Sequence, residues 1–450
     1  MNCTTHRPVN RPIAFLAISI VFNFATATHA AEVKETYDDG KPKLVYHTDA
    51  AHRKTGAYEE FYPGGKLHIR GQYTIGKKSG QWTVYGENGK LVEMENFRAD
   101  LLEGPYSWNF PSGKPGMRAT YHLGQLYGPI SVTDEKGSIS RRVNYPRSID
   151  AVRKAFLSLF YSEKPAVKFT TEPVTAPPYK AGVLSPQTLE AAVKVTKLYR
   201  YLSGVPYEDL KADATLCDKS AHGAVVLTKI GSLTHTPSQP SDMDAAFFKI
   251  AYTGCSEDNL YQGNGNPVDA VRGFMDDSDA SNVEKIGHRQ WVLCPGLQNV
   301  GFGSAGAFVS MHVFDGTRSV KLDYNYIAFP GEGFYPIRLI GPQFAWSLHI
   351  NKSKAKIGSK DSIKVSISKL DEHYQPTGDP IPTKVVSTPA PMSPSFGWET
   401  IVFKPEFETL EPGRYWVEVV GVMSPTGAAA PFGYIVELVD IQFPEKAAAN

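Results

Sequence analysis

The clearest pattern of hydrophobic and polar positions is a repeat of 24 residues between residues 38 and 145. Two series of glycines and one series of aromatic residues recur at this period: Gly56, Gly80, Gly104, Gly128; Gly65, Gly89, Gly113, Gly137; and Tyr73, Phe97, Tyr121, Tyr145. Within one unit, the aromatic-bearing run 80–85, the turn 87–90 and the run 91–97 predict a β-hairpin. Because so small a unit cannot bury its apolar face by itself, we expect the hairpins to stack into one extended sheet.

Helical spacing dominates the next part of the chain. Residues 148–161 carry apolar positions on one side of a predicted helix. A second helix is predicted over 189–202, after Ser185-Pro186, and another ends near Ile230. Asn266 and Pro267 supply an N-cap and a first-turn proline for a further helix that should end near Asp277.

Short apolar runs follow the last of these helices. A polar stretch leads from residue 276 to residue 282, and the apolar residues 291–293 stand directly before Cys294-Pro295-Gly296. A short apolar run stopped by turn residues predicts a strand. The glycine-rich run 300–303 predicts the start of the next strand.

From about Tyr324 onward the pattern changes to short alternating strands. The apolar members alternate with other residues at Ile363, Val365, Ile367; Tyr415, Val417, Val419; and Tyr434, Val436, Leu438. This spacing, with turn clusters between the runs, predicts an antiparallel β-sandwich of immunoglobulin-like kind over residues 323–445. We interpret its tryptophans as core residues: Trp346, Trp398 and Trp416.

The first 30 residues have the pattern of an export signal. Arg7 and Arg11 precede an apolar run at 13–22, and small residues before Ala31 suit cleavage. The run has ten residues, whereas a membrane-spanning helix needs about 20. No later stretch is apolar enough to span a membrane. We therefore expect a protein that is secreted, or periplasmic and part of the cell envelope.

Composition narrows the possible partners. The 47 basic and 46 acidic residues give a net charge of +1, which offers no positive surface for nucleic acid. The length of 450 residues and a hydrophobic content of 42% predict several domains. Three cysteines remain after cleavage: Cys217, Cys255 and Cys294. One pair, such as Cys255 with Cys294, forms a disulfide, or all three remain separate thiols.

Three short stretches resemble the CAP (SCP-like) superfamily, which includes cysteine-rich secretory proteins, antigen 5 and plant pathogenesis-related proteins. They are the acidic-Asn-Leu-Tyr stretch 257–261, a histidine at the start of a strand in 287–289, and the glycine-rich strand 300–303. The helix predicted over 189–202 looks like the family's first helix. The resemblance implies an α-β-α sandwich over residues 185–322.

The resemblance also implies a cleft that holds a divalent cation between two histidines and two acidic residues. His288 and His235 match the histidines. Either Glu257 or Asp258 takes the first acidic position, and Asp277 the second. Imidazole and carboxylate groups are competent ligands for zinc or magnesium. In the alternative interpretation, His288 binds loop backbone and residues 276–279 are a solvated helix exit.

The 24-residue units resemble MORN-like repeats, with Lys66, Lys90 and Lys114 after the turn glycines. The predicted fold class is therefore α+β multidomain. Its parts are a signal peptide at 1–30, a β-hairpin repeat array at 33–146, a connector at 147–184, the CAP-like sandwich and the C-terminal β-sandwich. Asn109 and Thr133 stand where Phe61 and Tyr85 occur in earlier units, so we interpret the far end of the array as a cap.

These patterns favour non-enzymatic recognition of a protein, a glycan or a small apolar ligand. The glycine–serine nucleophile elbow, the HExxH zinc motif and the glycine-rich nucleotide loops are missing from the sequence. A metal-dependent hydrolase of peptides, esters or glycans that uses the CAP-like cleft is the first alternative. A purely structural envelope protein is the second. We interpret His312, within an apolar strand, as a core histidine rather than a ligand.

Overall fold

The computed structural model describes residues 31–138, 140–161, 164–318, 324–358, 360–388, 397–430 and 432–444. The predicted signal peptide, residues 1–30, lies outside the described residues. The protein is mostly β, with 39% strand and 20% helix, and its strands form several sheets. No helix in the described ranges is both long enough and apolar enough to cross a membrane.

The first sheet is antiparallel and has 12 strands. They are β1 (Ala31–Thr36), β2 (Pro42–Thr48), β3 (Lys54–Phe61), β4 (Leu67–Thr74), β5 (Lys77–Tyr85), β6 (Leu91–Arg98), β7 (Leu101–Leu102), β8 (Gly104–Asn109), β9 (Pro115–His122), β10 (Gln125–Leu126), β11 (Ile130–Thr133) and β12 (Ser140–Val143). Their order is β1-β2-β3-β4-β5-β6-β8-β9-β11-β12, with β7 beside β6 and β10 beside β9. The hairpin predicted from residues 80–97 is confirmed as β5 paired with β6. Its turn residue Gly89 has a φ of 77°, a conformation that favours glycine.

Aromatic rings cover one face of this array. Trp82 is 2% exposed and lies flat over Gly71, where a Cβ atom would stand 2.1 Å from the indole ring. Its ring centre is 5.3 Å from that of Tyr58 and 5.1 Å from that of Tyr73. The Nζ atom of Lys78 stands 4.4 Å from the same ring. The repeated aromatic residues therefore pack against one another along the sheet.

The connector contains a helix and a short strand pair. They are α1 (Ile149–Leu159), β13 (Phe169–Thr171) and β14 (Val183–Leu184). The predicted helix at 148–161 is confirmed, and the Ser148 hydroxyl accepts a hydrogen bond from the Ala151 amide at 3.2 Å. Val152 and Phe156 of α1 are buried in the same hydrophobic core as residues of the next two sheets.

A sheet with helices on both faces follows. Its elements are α2 (Pro186–Leu202), β15 (Lys211–Ala212), α3 (Ala214–Ile230), α4 (Ala245–Glu257), β16 (Asp258–Gln262), α5 (Pro267–Asp276), α6 (Gly287–Val292), β17 (Asn299–Ala305) and β18 (Phe308–His312). The strand order is β15-β17-β18-β16. Gly301 and Gly303 of β17 face the backbone of α3, whereas Phe302 between them joins the core that contains α2 and α5. The predicted α2, α3, α5 and β17 are confirmed.

The strand predicted at residues 291–293 is wrong, because residues 287–292 form the helix α6. His288 therefore stands in the first turn of a helix rather than at the start of a strand. The backbone amide of Arg289 in that turn donates to the Asp277 carboxylate at 3.2 Å. Because a carboxylate there satisfies a free amide of the first turn, Asp277 stabilises the helix from outside it.

Two four-stranded sheets and one small strand pair complete the chain. The strands are β19 (Tyr326–Phe329), β20 (Gly333–Pro336), β21 (Trp346–Asn351), β22 (Lys356–Ile357), β23 (Lys364–Leu370), β24 (Thr383–Ser387), β25 (Trp398–Pro405), β26 (Gly413–Val420), β27 (Val422–Met423) and β28 (Phe432–Val439), with 3-10 turns at Ile337–Leu339 and Lys360–Ser362. The orders are β19-β21-β25-β24, β20-β28-β26-β23 and β22-β27. The predicted alternating strands are confirmed as β23, β26 and β28, but β20 pairs with β28 in parallel.

The two four-stranded sheets pack face to face. Trp346 of the first sheet contacts Phe407, which in turn contacts Tyr415 of the second. Trp346, Trp398 and Trp416 are 1%, 2% and 6% exposed, so their assignment to the core is confirmed. This sandwich also shares one hydrophobic core with α2 and α5, and the Tyr199 hydroxyl of α2 donates to the Leu339 carbonyl at 3.3 Å.

Candidate functional site

An aspartate–histidine pair lies where α5 ends and α6 begins. The Asn266 side chain accepts from the Val268 amide at 3.0 Å and starts α5, as predicted. Asp277 ends this helix with a φ of 47°, which is uncommon for a residue with a side chain. This conformation places the Asp277 Oδ1 atom 2.8 Å from the Nδ1 atom of His288. The structure thus brings together two of the five predicted site residues.

The hydrogen bond with Asp277 fixes which nitrogen of the His288 ring carries the proton. A carboxylate only accepts hydrogen bonds, so the Nδ1 atom of His288 carries the proton that it shares with Asp277. In the neutral ring, Nε2 then keeps its lone pair for a ligand or a metal ion. The Phe274 ring lies 5.2 Å from the imidazole, and the Asn259 amide donates to the His288 carbonyl at 3.1 Å. Both contacts hold His288 in place.

The buried side chain of Arg289 stabilises the turn between α5 and α6. Arg289 donates to the Met275 carbonyl at 2.8 Å, to the Asp276 carbonyl, and to the Ser347 hydroxyl at 3.1 Å. Its guanidinium also lies 4.2 Å from the ring centre of Phe329. Burial lowers the pKa of Arg289 to about 10, so the side chain remains charged at neutral pH. Arg289 therefore ties the end of α5 to the C-terminal sandwich.

The pair opens into a cleft of about 290 Å³. The cleft is lined by Leu233, Leu260, Tyr261, Gln262, Gly273, Phe274, Asp276, Asp277, Ser278, Asp279, Asn282 and His288. Three of these described residues are aspartates, and none is a lysine or arginine. Burial raises the pKa of Asp276, and its buried Oδ1 atom has no hydrogen-bond donor among the described residues. The lining of the cleft is therefore acidic, and the unpartnered Oδ1 atom of Asp276 is closed to solvent.

Asp258 belongs to a different cluster, inside the protein. It is 3% exposed and accepts hydrogen bonds from the hydroxyls of Ser220 at 2.5 Å and Ser310 at 2.7 Å. Its other oxygen lies 2.9 Å from the Nδ1 atom of His312. Burial raises the pKa of Asp258, although these hydrogen bonds oppose the rise. The partners of Asp258 are thus Ser220, Ser310 and His312 rather than His288.

Glu257 and His235 each contact residues other than Asp277 and His288. The Glu257 carboxylate lies 3.8 Å from the Nζ atom of Lys219 and 4.0 Å from the Nδ1 atom of His312. The Nδ1 atom of His235 lies 2.7 Å from the carbonyl oxygen of Cys255. Within the described ranges, no group of three or more His, Cys, Asp or Glu residues is arranged to hold a metal ion. Of the five predicted residues, Asp277 and His288 are joined by a hydrogen bond, whereas the other three have different partners.

His312 is 3% exposed and bonded to Asp258, so its assignment as a satisfied core histidine is confirmed. The sequence contained one signal for this cluster, since Ser310 and His312 alternate with Val309 and Met311 along β18. Alternation places Ser310 and His312 on one face of the sheet. Their partner Ser220 comes from α3, and no local pattern connected it to them.

The three described cysteines are free thiols. Cys255 is fully buried, and burial raises its pKa to about 12. Burial also raises the pKa values of Cys217 and Cys294. Of the two alternatives that the sequence left open, the structure has the separate thiols. A raised pKa makes a thiol a weak nucleophile at neutral pH.

Comparisons with known proteins add little to this picture. No protein-family model matches the chain, and no curated protein matches it. Among solved structures, the Glycosylation Associate Protein (Gap123) complex from Streptococcus agalactiae is similar over 30% of this chain and 25% of that chain. The identity is 14% and the TM-score is 0.16, which is too low to indicate a shared fold.

Proposed function

We propose that this protein is an exported, non-enzymatic binding protein whose CAP-like region, residues 185–322, takes a basic side chain of a partner protein into the cleft at His288. The helices on both faces of the sheet β15-β17-β18-β16 support the CAP-like assignment. The MORN-like array and the immunoglobulin-like sandwich are then structural or adhesive parts. The secreted or cell-envelope location rests on the sequence of residues 1–30.

The observation that carries this proposal is the acidic lining of the cleft, whose described residues include three aspartates and no lysine or arginine. Burial raises the pKa of Asp276, so its charge has lost part of its hydration, and a cationic ligand compensates for that loss. Asp277 and Asp279 add negative charge to the same lining. A lysine or arginine side chain supplies both N–H donors and positive charge, and Tyr261 and Phe274 suit its aliphatic stem.

Binding can be measured by NMR titration of the protein with N-acetyl-lysine amide and N-acetyl-arginine amide. We expect both to bind at least about tenfold more tightly than N-acetyl-norleucine amide, because a charge-assisted hydrogen bond contributes about 1.5–3 kcal/mol. Asp276→Asn should remove most of that preference. Glu284→Gln is the matched control, since Glu284 is exposed in the same segment and the charge change is the same.

Equal binding of the three amides, or equal affinities for the two variants, would contradict this proposal. If none of them binds at millimolar concentration, the purely structural interpretation of the protein gains support.

A metal-dependent hydrolase is the second candidate, and the Asp277–His288 distance of 2.8 Å favours it. A carboxylate that orients a histidine is the usual support of a metal ligand. His288 Nε2 suits one ligand position, but Asp258 is engaged in the interior, and within the described residues no group of three His, Cys, Asp or Glu side chains is placed to hold the ion. Calorimetry with zinc and magnesium at neutral pH, on the wild type and His288→Ala, tests metal binding. Zinc binding without turnover of peptides, esters or glycans would leave the ion a structural or ligand-bridging role.

A further inference from the structure

A second cavity, of about 580 Å³, lies apart from the cleft and shares none of its lining residues. It lies at the junction of three segments: the chain after β12, the loop after α2 and the chain after β18. Its lining contains the two arginines Arg147 and Arg318, the two acidic residues Glu208 and Asp209, and the aromatic residues Tyr201 and Tyr207 beside Gly204, Val205 and Pro206. A volume of this size matches the pockets that hold small organic ligands.

Arg147 lines this cavity and has no hydrogen bond to a carboxylate among the described residues, although the charge of Glu332 acts on it from nearby. Among the described residues, its guanidinium contacts the carbonyl of Leu202 at 3.4 Å and lies 4.8 Å from the ring centre of Tyr201. Neither partner carries a negative charge at neutral pH. Burial lowers the pKa of Arg147, which shows that water no longer fully solvates the charge. The side chain therefore keeps N–H donors available for an acceptor.

Arg318 adds a second cation to the lining. Its side chain is 8% exposed, and its Nη2 atom donates to the Asp209 carboxylate and to the Leu297 carbonyl. Its Nε atom is buried and has no acceptor among the described residues. Asp209 accepts from only one edge of the guanidinium, and the Nε–H at the other edge is closed to solvent.

Aromatic rings form the apolar wall of the cavity. The rings of Tyr201 and Tyr207 meet edge to face, with centres 5.1 Å apart. Gly204 leaves space beside the guanidinium of Arg147, because a Cβ atom at this position would stand 3.3 Å from the Nη2 atom. Tyrosine faces bind flat rings and sugar rings by stacking and apolar contact. The wall therefore suits a ligand with a ring, and the two arginines suit an oxyanion.

We propose that this cavity binds a small ligand in which a carboxylate or a phosphate is attached to a ring. Arg147 binds the oxyanion, Arg318 adds positive charge to the lining, and Tyr207 packs against the ring. Arginine binds both anions through paired N–H groups, so the two chemistries share one mode of recognition. This second site does not depend on the function proposed for the cleft.

NMR titrations of the full chain with phenyl phosphate, benzoate, inorganic phosphate and benzyl alcohol test the proposal. We expect phenyl phosphate or benzoate to bind at least about tenfold more tightly than benzyl alcohol, which lacks the anion, and than inorganic phosphate, which lacks the ring. Whichever of phenyl phosphate and benzoate binds more tightly shows whether the ligand of this cavity carries a phosphate or a carboxylate. Arg147→Gln should weaken its binding at least about tenfold. Arg142→Gln is the matched control, because Arg142 is exposed on β12.

A second measurement uses the wild-type protein alone, so its result does not depend on whether the variant folds. Nuclear Overhauser effects between the phenyl protons and the Tyr207 ring are expected in the complex. The proposal is overturned if neither phenyl phosphate nor benzoate binds at millimolar concentration, or if the bound ring contacts other residues. Equal affinities of the folded Arg147→Gln and Arg142→Gln proteins would also overturn it. Inorganic phosphate binding as tightly as phenyl phosphate would refute the role of the tyrosines.

Discussion

Two fully buried arginines, Arg200 and Arg289, connect helix ends to neighbouring loops and strands. Arg200 donates to four carbonyls: Pro206 at 2.8 Å, Val292 at 2.6 Å, Cys294 at 2.9 Å and Leu297 at 3.1 Å. Arg289 does the same for the end of α5. Each guanidinium satisfies several carbonyls that would otherwise be buried without donors. At the scale of single residues, the irregular segments around both cavities are thus fixed by charged side chains from helices.

His349 gives a pH-dependent prediction at this scale. It is fully buried, with its Nδ1 atom 2.9 Å from the Thr400 hydroxyl, and burial, together with the charge of Arg289, lowers its pKa to about 3. The unfolded chain binds a proton near pH 6.5. The stabilising contribution of the neutral ring is therefore complete above about pH 6.5, and is lost as the pH falls toward 3.

We expect the wild type to lose about 2 kcal/mol more stability than His349→Gln between pH 7 and pH 5, since one pKa unit corresponds to 1.36 kcal/mol. Urea denaturation followed by tryptophan fluorescence at the two pH values measures the difference. Identical losses in the two proteins would show that His349 takes up its proton in the folded state.

At the scale of elements, the strand β17 and the helix α3 approach each other unusually closely. A Cβ atom on Gly303 would stand 2.2 Å from the backbone of Ser220 and Ala221, and one on Gly301 would stand 2.4 Å from Leu216. Backbone atoms cannot move aside as a flexible side chain can. The alternating glycines of the run 300–303 are therefore needed for helix packing, which places Ser220 beside Asp258.

Gly303→Ala is expected to lower the free energy of unfolding by about 3 kcal/mol, because α3 must move away from the sheet to admit the methyl group. Thermal unfolding followed by circular dichroism measures this change. Gly287→Ala is the matched control, since nothing lies within 4 Å of a Cβ atom there, and we expect a change within about 1 kcal/mol. Similar losses in the two variants would contradict close packing of β17 on α3.

At the scale of the whole molecule, the far end of the repeat array packs against the C-terminal sandwich. Met117, Ile130 and Val132 of the array share a buried cluster with Trp416 and Ile435 of the sandwich. The Tyr145 hydroxyl, in the last repeat position, donates to the Glu437 carboxylate. The end of the array that the sequence marks as a cap is therefore an interface with the sandwich. The departures from the repeat in the last units occur where the array meets the sandwich.

A double-mutant cycle tests this interface. The rings of Trp108 in the array and His373 in the sandwich are stacked, with centres 4.2 Å apart. Trp108→Ala and His373→Ala should therefore be coupled by about 0.5–1.5 kcal/mol in denaturant unfolding. The control cycle pairs Trp108→Ala with His68→Ala, because His68 instead packs on Tyr62, and its coupling should stay below about 0.5 kcal/mol. Strict additivity in the first cycle would mean that the two parts do not dock in solution.

The sequence by itself determined the features that depend on neighbouring residues. The hairpins follow from glycines that must adopt positive φ, and the helices α1, α2 and α5 begin at Ser148, Ser185 and Asn266, whose side chains accept amide protons within the next few residues. The alternating strands of the sandwich follow from the period of two. The Asp277–His288 contact could also be predicted from the sequence, since both residues were selected as partners in one site.

Only the tertiary structure decided the features that join residues distant in the chain. The run 291–293 lies in and just after a helix because Asp277 satisfies the amide of Arg289 from outside it, which no local pattern could show. Asp258 is engaged by Ser220 and His312, 38 and 54 residues away, so its position beside Glu257 did not place it in the cleft. The second cavity brings Arg147 and Arg318 together from opposite ends of the helical region. Burial removes water from such groups, and the partners that replace it are set by packing rather than by sequence spacing.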